Sequence, residues 1–407
     1  MTKGSFGKGL RSEFLLEPQY VPLNHGSYGV VPRSIKALQR EIQDKEEQHP
    51  DRFHRLEVTK ELRKARELLA KVINCRDPAD IAFQRNATFA INTVLKSFPF
   101  EKGDKVLVFS IAYPSVPRCL RYLQDIGRIQ LVEIEITYPL NDSYILDLLR
   151  ATIEREEQSQ QGRIRLAVMD AIAATPGVRF PFEAAVKLVQ QHGILAMVDG
   201  AHALGHIPLN MEELDPDFFL SNLHKWYYTP RGASFLYVPK RNQKYVLPLV
   251  LNYDYKHPDE PGFSFEDAFA YPGVEDLSSY LCVGAVIDYR KSLGGEDAIM
   301  KYCHDLALQG GELVARILGT RVLENDDKTL TACMVNIELP LKESKLSTQD
   351  TIQTIIEKLI HEHNTMASPF YHGGKYWARL SAQIYNDLSD FEHGAHALQK
   401  ICKELEK

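Results

Sequence analysis

The chain has 407 residues, 44% of them hydrophobic, enough to bury substantial cores in one large and one smaller domain. Its 48 basic and 54 acidic residues leave a formal net charge of -6, which argues against nucleic acid as the main partner, since that role needs a concentrated basic face. No apolar run approaches the ~20 residues that span a bilayer, and the opening MTKGSFGKGLRSEFLLEP lacks the apolar core of a secretory signal. Cys75, Cys119, Cys282, Cys303, Cys333 and Cys402 are scattered without a CxxC pair, as expected for reduced thiols in a cytoplasmic protein with no metal centre.

In chain order, LNHGSYG places Asn24, His25 and Tyr28 in a loop punctuated by Gly26 and Gly29, tight backbone that can approach a substrate. From 35 to 72 the spacing predicts a long helical pattern, interrupted by HPDRFHR. The strand-like DIAF then leads into NATFAINTVL, where Ala87 and Thr88 open a helix. Free N–H groups, the positive dipole end and the Thr88 hydroxyl would suit a phosphate there. The stretch lacks the glycines and lysine of a P-loop. The runs at 105–110, 129–136, 164–172, 194–201 and 233–238 read as buried strands, separated by amphipathic helical stretches such as VPRCLRYLQDIG and FEAAVKLVQQHG. Such alternation predicts parallel βαβ units with helices on both faces, an α/β fold whose ligands sit beyond the carboxyl ends of the strands.

Asp199 and Lys225 stand at two such ends, after ILAMV and after FFL, and Ser221 and His224 precede the lysine in SNLHKWYYTPRG. The segment 251–273 is long, aromatic and rich in turn residues, as functional or interface loops are. After about residue 290, helical and strand-like runs (CMVNIEL, YWARLSAQIYN and a closing helix) predict a smaller α+β domain. Its Arg379 has the forked geometry that binds a carboxylate.

Taken singly, these residues have plain structural readings: an Asp capping a turn, an N-cap, an arginine on an edge strand. As a set they match one chemistry. Pyridoxal 5′-phosphate needs a lysine amine for its aldehyde, a carboxylate for its ring nitrogen and donors for its phosphate; an amino-acid substrate needs a carboxylate clamp.

NATFAIN, PGVRFPFE, VDGAHALGHIPL, DPDFFLSNLHKW and TPRGASFLYVP, in this order and spacing, resemble the class V aminotransferase group of fold type I pyridoxal-phosphate enzymes, over nearly the whole chain. Within it the chain looks most like the isopenicillin N epimerase-like branch, which includes ergothioneine-pathway C–S lyases. The resemblance implies a large domain, 31–285, with a mainly parallel seven-stranded-type sheet that binds the cofactor. An N-terminal arm, 1–30, would contribute to the active site, and 286–407 would form the small C-terminal domain. It implies that Lys225 joins the aldehyde, Asp199 pairs with the ring nitrogen and His202 meets the phenolic oxygen. Ala87, Thr88, Ser221 and His224 would hold the phosphate, and Tyr113, in SIAYPSV, would stack on the ring and serve as an acid. A homodimer would complete the phosphate site with Gly273 of YPGVED. Three departures concern the substrate: Val274 stands where relatives often have Thr, Ala173-Ala174 where they often have Ser-Ser, and VLPLVLNYDYKHPDE where they have a short segment.

The expected reaction is β-elimination across the C–S bond of a cysteine-derived amino acid, with Lys225 as base and Tyr113 as acid at the leaving sulfur. The alternative is an epimerase or cyclase of specialised metabolism; epimerisation would need His25 or Tyr113 as the second acid/base, with Asn24, His25, Tyr28 and Arg379 around the substrate.

Overall fold

The computed structural model describes residues 6–159, 161–252, 255–271, 273–341 and 344–406. The first five residues of the expected arm, and positions 253, 254 and 272 of the 251–273 segment, lie outside the described residues. The strands are β1 (Val21–Pro22), β2 (Ile81–Gln84), β3 (Lys105–Phe109), β4 (Gln130–Ile134), β5 (Ile164–Asp170), β6 (Leu195–Asp199), β7 (Phe218–Asn222), β8 (Ser234–Tyr237), β9 (Met334–Glu338), β10 (Thr365–Met366), β11 (Ser368–His372) and β12 (Lys375–Ser381).

The seven-stranded sheet has the order β2-β8-β7-β6-β5-β3-β4. From β4 to β7 every pairing is parallel, as the alternation with helices requires. β8 is antiparallel to both β7 and β2. Residues 223–233 hold a turn, too little chain for a helical crossover, so the strand after the lysine can only come straight back.

Side chains alternate across the sheet and feed two cores. One face packs Val106, Val108, Phe218 and Leu220 against the helices Ala87–Ser97 and Ser115–Asp125. The other packs Leu107, Phe109, Val198 and Phe219 against Asp142–Gln158, Phe182–Gln191 and Val58–Val72. HPDRFHR is a kink in the expected 35–72 pattern. His49 leaves helical geometry (φ -158°, ψ 76°) because the residue before a proline disfavours it, and the chain resumes as Pro50–Arg52 and a π turn at Phe53–Glu57.

In the C-terminal part, the antiparallel sheet β11-β12-β9 and the helices Gly295–Leu318, Thr348–His363 and Leu388–Leu405 enclose a third core around Val314, Val335, Leu359, Leu380 and Leu398. The N-terminal arm is tied to this part, because β1 runs parallel to β10. The loop after β1 crosses to the lysine segment so closely that a Cβ on Gly29 (φ 65°) would lie 1.8 Å from the His224 carbonyl oxygen. All six cysteines are free and buried. Among the described residues no helix is long and apolar enough to cross a membrane.

Candidate active site

The carboxyl ends of β3, β5, β6 and β7 and the start of the helix Ala87–Ser97 surround a cavity of about 370 Å³. Lys225, Asp199, His202, Thr88 and Tyr113, drawn from two separate stretches of the chain, all line it.

Lys225 Nζ lies 3.0 Å from His202 Nε2. The tautomer follows from the other side of the ring: the Trp226 indole N–H, which can only donate, reaches His202 Nδ1 at 3.3 Å. Burial, with the Lys225 charge next in weight, holds His202 well below the ordinary imidazole range, so the ring is neutral with its proton on Nε2. That proton points at the lysine amine or at an oxygen bound beside it. Burial lowers the Lys225 amine to about 8, helped by the Arg379 charge and opposed by Asp199 and Asp170, so a large fraction is neutral near pH 8.

The lysine's backbone is fixed from two sides. His25 Nε2–H donates to the Lys225 carbonyl at 2.7 Å, and Arg290, ion-paired with Glu296, donates to the Trp226 carbonyl at 3.0 Å. The Tyr385 hydroxyl occupies His25 Nδ1 at 2.7 Å, and burial lowers this histidine to about 3. His25 was expected at the substrate as an acid/base. It is instead a neutral ring behind the lysine, with both nitrogens engaged, and does not line the cavity.

Asp199 is buried, and one oxygen, Oδ1, accepts the Ala201 N–H at 2.9 Å. Its Oδ2 has no partner among the described residues. Arg379 is also buried, and its donors reach only neutral oxygens: Nη1 to the Ala174 carbonyl at 2.6 Å, Nη2 to Asn24 Oδ1 and Ser27 Oγ at 2.8 Å each. Among the described residues no carboxylate pairs with it, and burial lowers it to about 10. A buried cation held by neutral oxygens is a site for an anion. Ser27 and Ala174, which hold the guanidinium, line the cavity; Arg379 itself and Asn24 do not, so the charge lies just behind the wall. Gly177 makes room: a Cβ there would lie 2.6 Å from Arg379 Cδ.

At the opposite wall, Asn86 caps the helix Ala87–Ser97 through the Phe89 N–H, Asn222 takes the Ala87 N–H at 3.0 Å, and Thr88 lines the cavity. His224 Nδ1–H donates to the Ala233 carbonyl at 3.0 Å, and Nε2 is the other ring nitrogen; burial lowers this histidine to about 4. Ser221, expected with them, is turned away. Period-two alternation along β7 sends it to the Phe219 face, where its hydroxyl donates to the Gly200 carbonyl and accepts the Leu204 N–H. Its neighbour Asn222 takes the cavity side. Tyr28 is 68% exposed and Gly273 does not line the cavity either, whereas Tyr113 does and is 45% exposed.

Residues 25–393 match the family described as Aminotransferase class-V. The chain belongs to that family. Over 98% of its length and 98% of the relative's, it is 30% identical to the hercynylcysteine sulfoxide lyase of Schizosaccharomyces pombe. It is also 30% identical to an L-cysteine desulfhydrase-like protein of Epichloe uncinata, over 98% and 96% of the two chains. A solved cysteine desulfurase from Thermococcus onnurineus superposes with a TM-score of 0.79 at 20% identity, covering 100% of both chains, which establishes the common fold.

The class V aminotransferases use pyridoxal 5′-phosphate, and the residues present fit it. The partnerless Asp199 Oδ2 is an acceptor waiting for a buried N–H, such as a protonated ring nitrogen. The His202 Nε2–H suits a phenolic oxygen beside Lys225. At the helix start Asn222 and Asn86 take the N–H groups of Ala87, expected as a phosphate donor, and Phe89, which leaves Thr88 to suit a phosphate.

The residues that sequence reasoning missed are Ser27, Asn222 and Asp170, all at the cavity. A signal existed for the last: VMD closes β5 as MVD closes β6, and register pairs the two aspartates.

Proposed function

We propose that this chain is a pyridoxal-phosphate-dependent lyase that breaks the C–S bond of a cysteine-derived amino acid by β-elimination. The observation that carries the reading is the pair of unmet groups around Lys225, the acceptor on Asp199 and the uncompensated Arg379. The two relatives named above, a sulfoxide lyase and a cysteine desulfhydrase-like protein, support the choice of bond. When bound, the cofactor supplies an electron sink for negative charge at the substrate's α-carbon. Arg379 holds the α-carboxylate, Lys225 removes the α-proton, and the Tyr113 hydroxyl protonates the departing sulfur. The Cα–H and Cβ–S bonds break, sulfur leaves as a thiol or sulfenic acid, and water releases the remaining carbons as pyruvate and ammonium. Epimerisation loses one of its two expected second acid/bases, since His25 is engaged behind the lysine, and would need Tyr113 in that role instead of at the sulfur.

The test is a panel of S-substituted cysteines and their sulfoxides, following pyruvate and ammonium in equal amounts. Absence of pyruvate from every member would overturn the lyase reading.

Uptake of the cofactor by the cofactor-free chain adds a pH test. Only the unprotonated amine attacks an aldehyde, so the rate should climb with pH and level off near the Lys225 value of about 8. A rate flat from about pH 6 to about pH 9 would show that another group takes the aldehyde.

We also propose that the active chain is a homodimer. Val274 is 78% exposed beside Glu275, which pairs with Arg85 next to the phosphate wall, and exposed Leu249 and Val250 line a shallow pocket with Glu275. An apolar rim of this kind suits a second copy of the chain, with Gly273 reaching the partner's phosphate.

A further inference from the structure

The cofactor site contains a carboxyl group for which the lyase reading has no use. Asp170 ends β5 and Asp199 ends β6, and the parallel register sets them directly side by side. In-register neighbours project to the same face of a sheet, and both line the same cavity. They are buried to 5% and 2% exposure, and neither forms an ion pair among the described residues. The backbone N–H of Tyr113 faces Asp170, whereas Asp199 Oδ2 has no partner among the described residues.

Two adjacent buried carboxyls do not both ionise, because each charge would lose water and repel the other. The free Oδ2 of Asp199 decides which one carries the charge: a cationic ring N–H can compensate it there, and without the cofactor the Lys225 charge acts more strongly on Asp199 than on Asp170, which faces a neutral amide. We propose that Asp170 is a second acid of the cofactor site, a positioning residue that stays protonated beside ionised Asp199 and holds the Tyr113 backbone. The ring nitrogen then faces one negative charge, and the loop carrying the ring-side tyrosine is tied to the same carboxyl pair.

The groups facing Asp170 agree with this. Burial and the Asp199 charge push its carboxyl well above the usual range; Lys225 and the Tyr113 N–H oppose that more weakly. From the β4 side comes Tyr138, a buried phenol whose hydroxyl has no partner among the described residues, so no cation arrives there.

The proposal rests on the cofactor reading, but its first test needs no cofactor. An acid that keeps its proton when folded and loses it when unfolded weakens the folded state as pH rises above the ordinary Asp value of about 3.9. Replacing it with the neutral amide, Asp170→Asn, removes that loss. In the cofactor-free protein the Tm of the variant relative to wild type should therefore rise by about 2 °C or more between about pH 5 and about pH 8. A difference independent of pH overturns the proposal. The second test uses the wild-type holoenzyme, so it stands even if the variant does not fold. At neutral pH its infrared spectrum should contain the C=O stretch of a protonated carboxylic acid, and absence of that band overturns the proposal. Failure of wild type to take up cofactor would count against the lyase reading alone, since the cofactor-free melting series still decides the state of Asp170.

Discussion

Lys225→Ala should lower turnover of cysteine conjugates by about 10⁴-fold or more, equivalent to about 5 kcal/mol of barrier. Two separate losses combine. The variant has no amine to condense with the cofactor's aldehyde, and it has no base within reach of the substrate's α-proton. The neighbouring groups do not compensate. His202 is neutral and presents an N–H, so it has no lone pair to offer on the lysine side. His25 faces the lysine's carbonyl from behind the cavity. Lys225→Arg should fail equally, because a guanidinium is protonated at any working pH and is not a nucleophile. Added primary amines such as methylamine should restore part of the proton transfer to the alanine variant without restoring covalent retention of the cofactor on dialysis. A Lys225→Ala protein that keeps the wild-type rate would remove the lysine from the mechanism.

How much of this site can be read from the sequence depends on where each residue sits. Asp199 closes an apolar strand and Lys225 comes soon after the apolar run 218–220, so their placement at strand ends, and hence at the ligand edge of a parallel sheet, comes from local patterning alone. Ala87 is legible for the same reason, as the start of an amphipathic helix after a strand. Ser221 misleads because it lies one residue from the right face. Strand alternation turns it toward Gly200, and nothing local states which face of β7 meets the phosphate wall. His25 misleads because its partners are far along the chain: the Lys225 carbonyl is 200 residues away and Tyr385 is 360. The antiparallel return of β8 depended on the length of the turn at 223–233, which apolar runs do not report. Asp170 needed the inter-strand register, a property of the folded sheet.

Arg379 carries the second large effect, and here the fold has accepted a cost. A guanidinium drawn out of water without a carboxylate is unfavourable, and the lowering of Arg379 to about 10 is the mark of that desolvation. Asn24, Ser27 and the Ala174 carbonyl hold the fork in place yet leave its charge uncompensated. In the proposed reading an incoming amino acid supplies the missing anion, and removing one partner of a buried charge pair costs about 2–5 kcal/mol. Arg379→Met should therefore lower kcat/KM for cysteine conjugates by about 10²–10³-fold, mainly through KM, because the carboxylate is held alike in the ground and transition states. Arg379→Lys should recover little, since a single ammonium cannot reproduce the forked contact. The same conjugates built on cysteamine lack the carboxylate, so wild type and Arg379→Met should bind them equally, as measured by the change in cofactor absorbance. If the methionine variant instead binds the amino acids as tightly as wild type, the carboxylate is held elsewhere, and the orphaned charge of Arg379 must be balanced by some group other than the substrate.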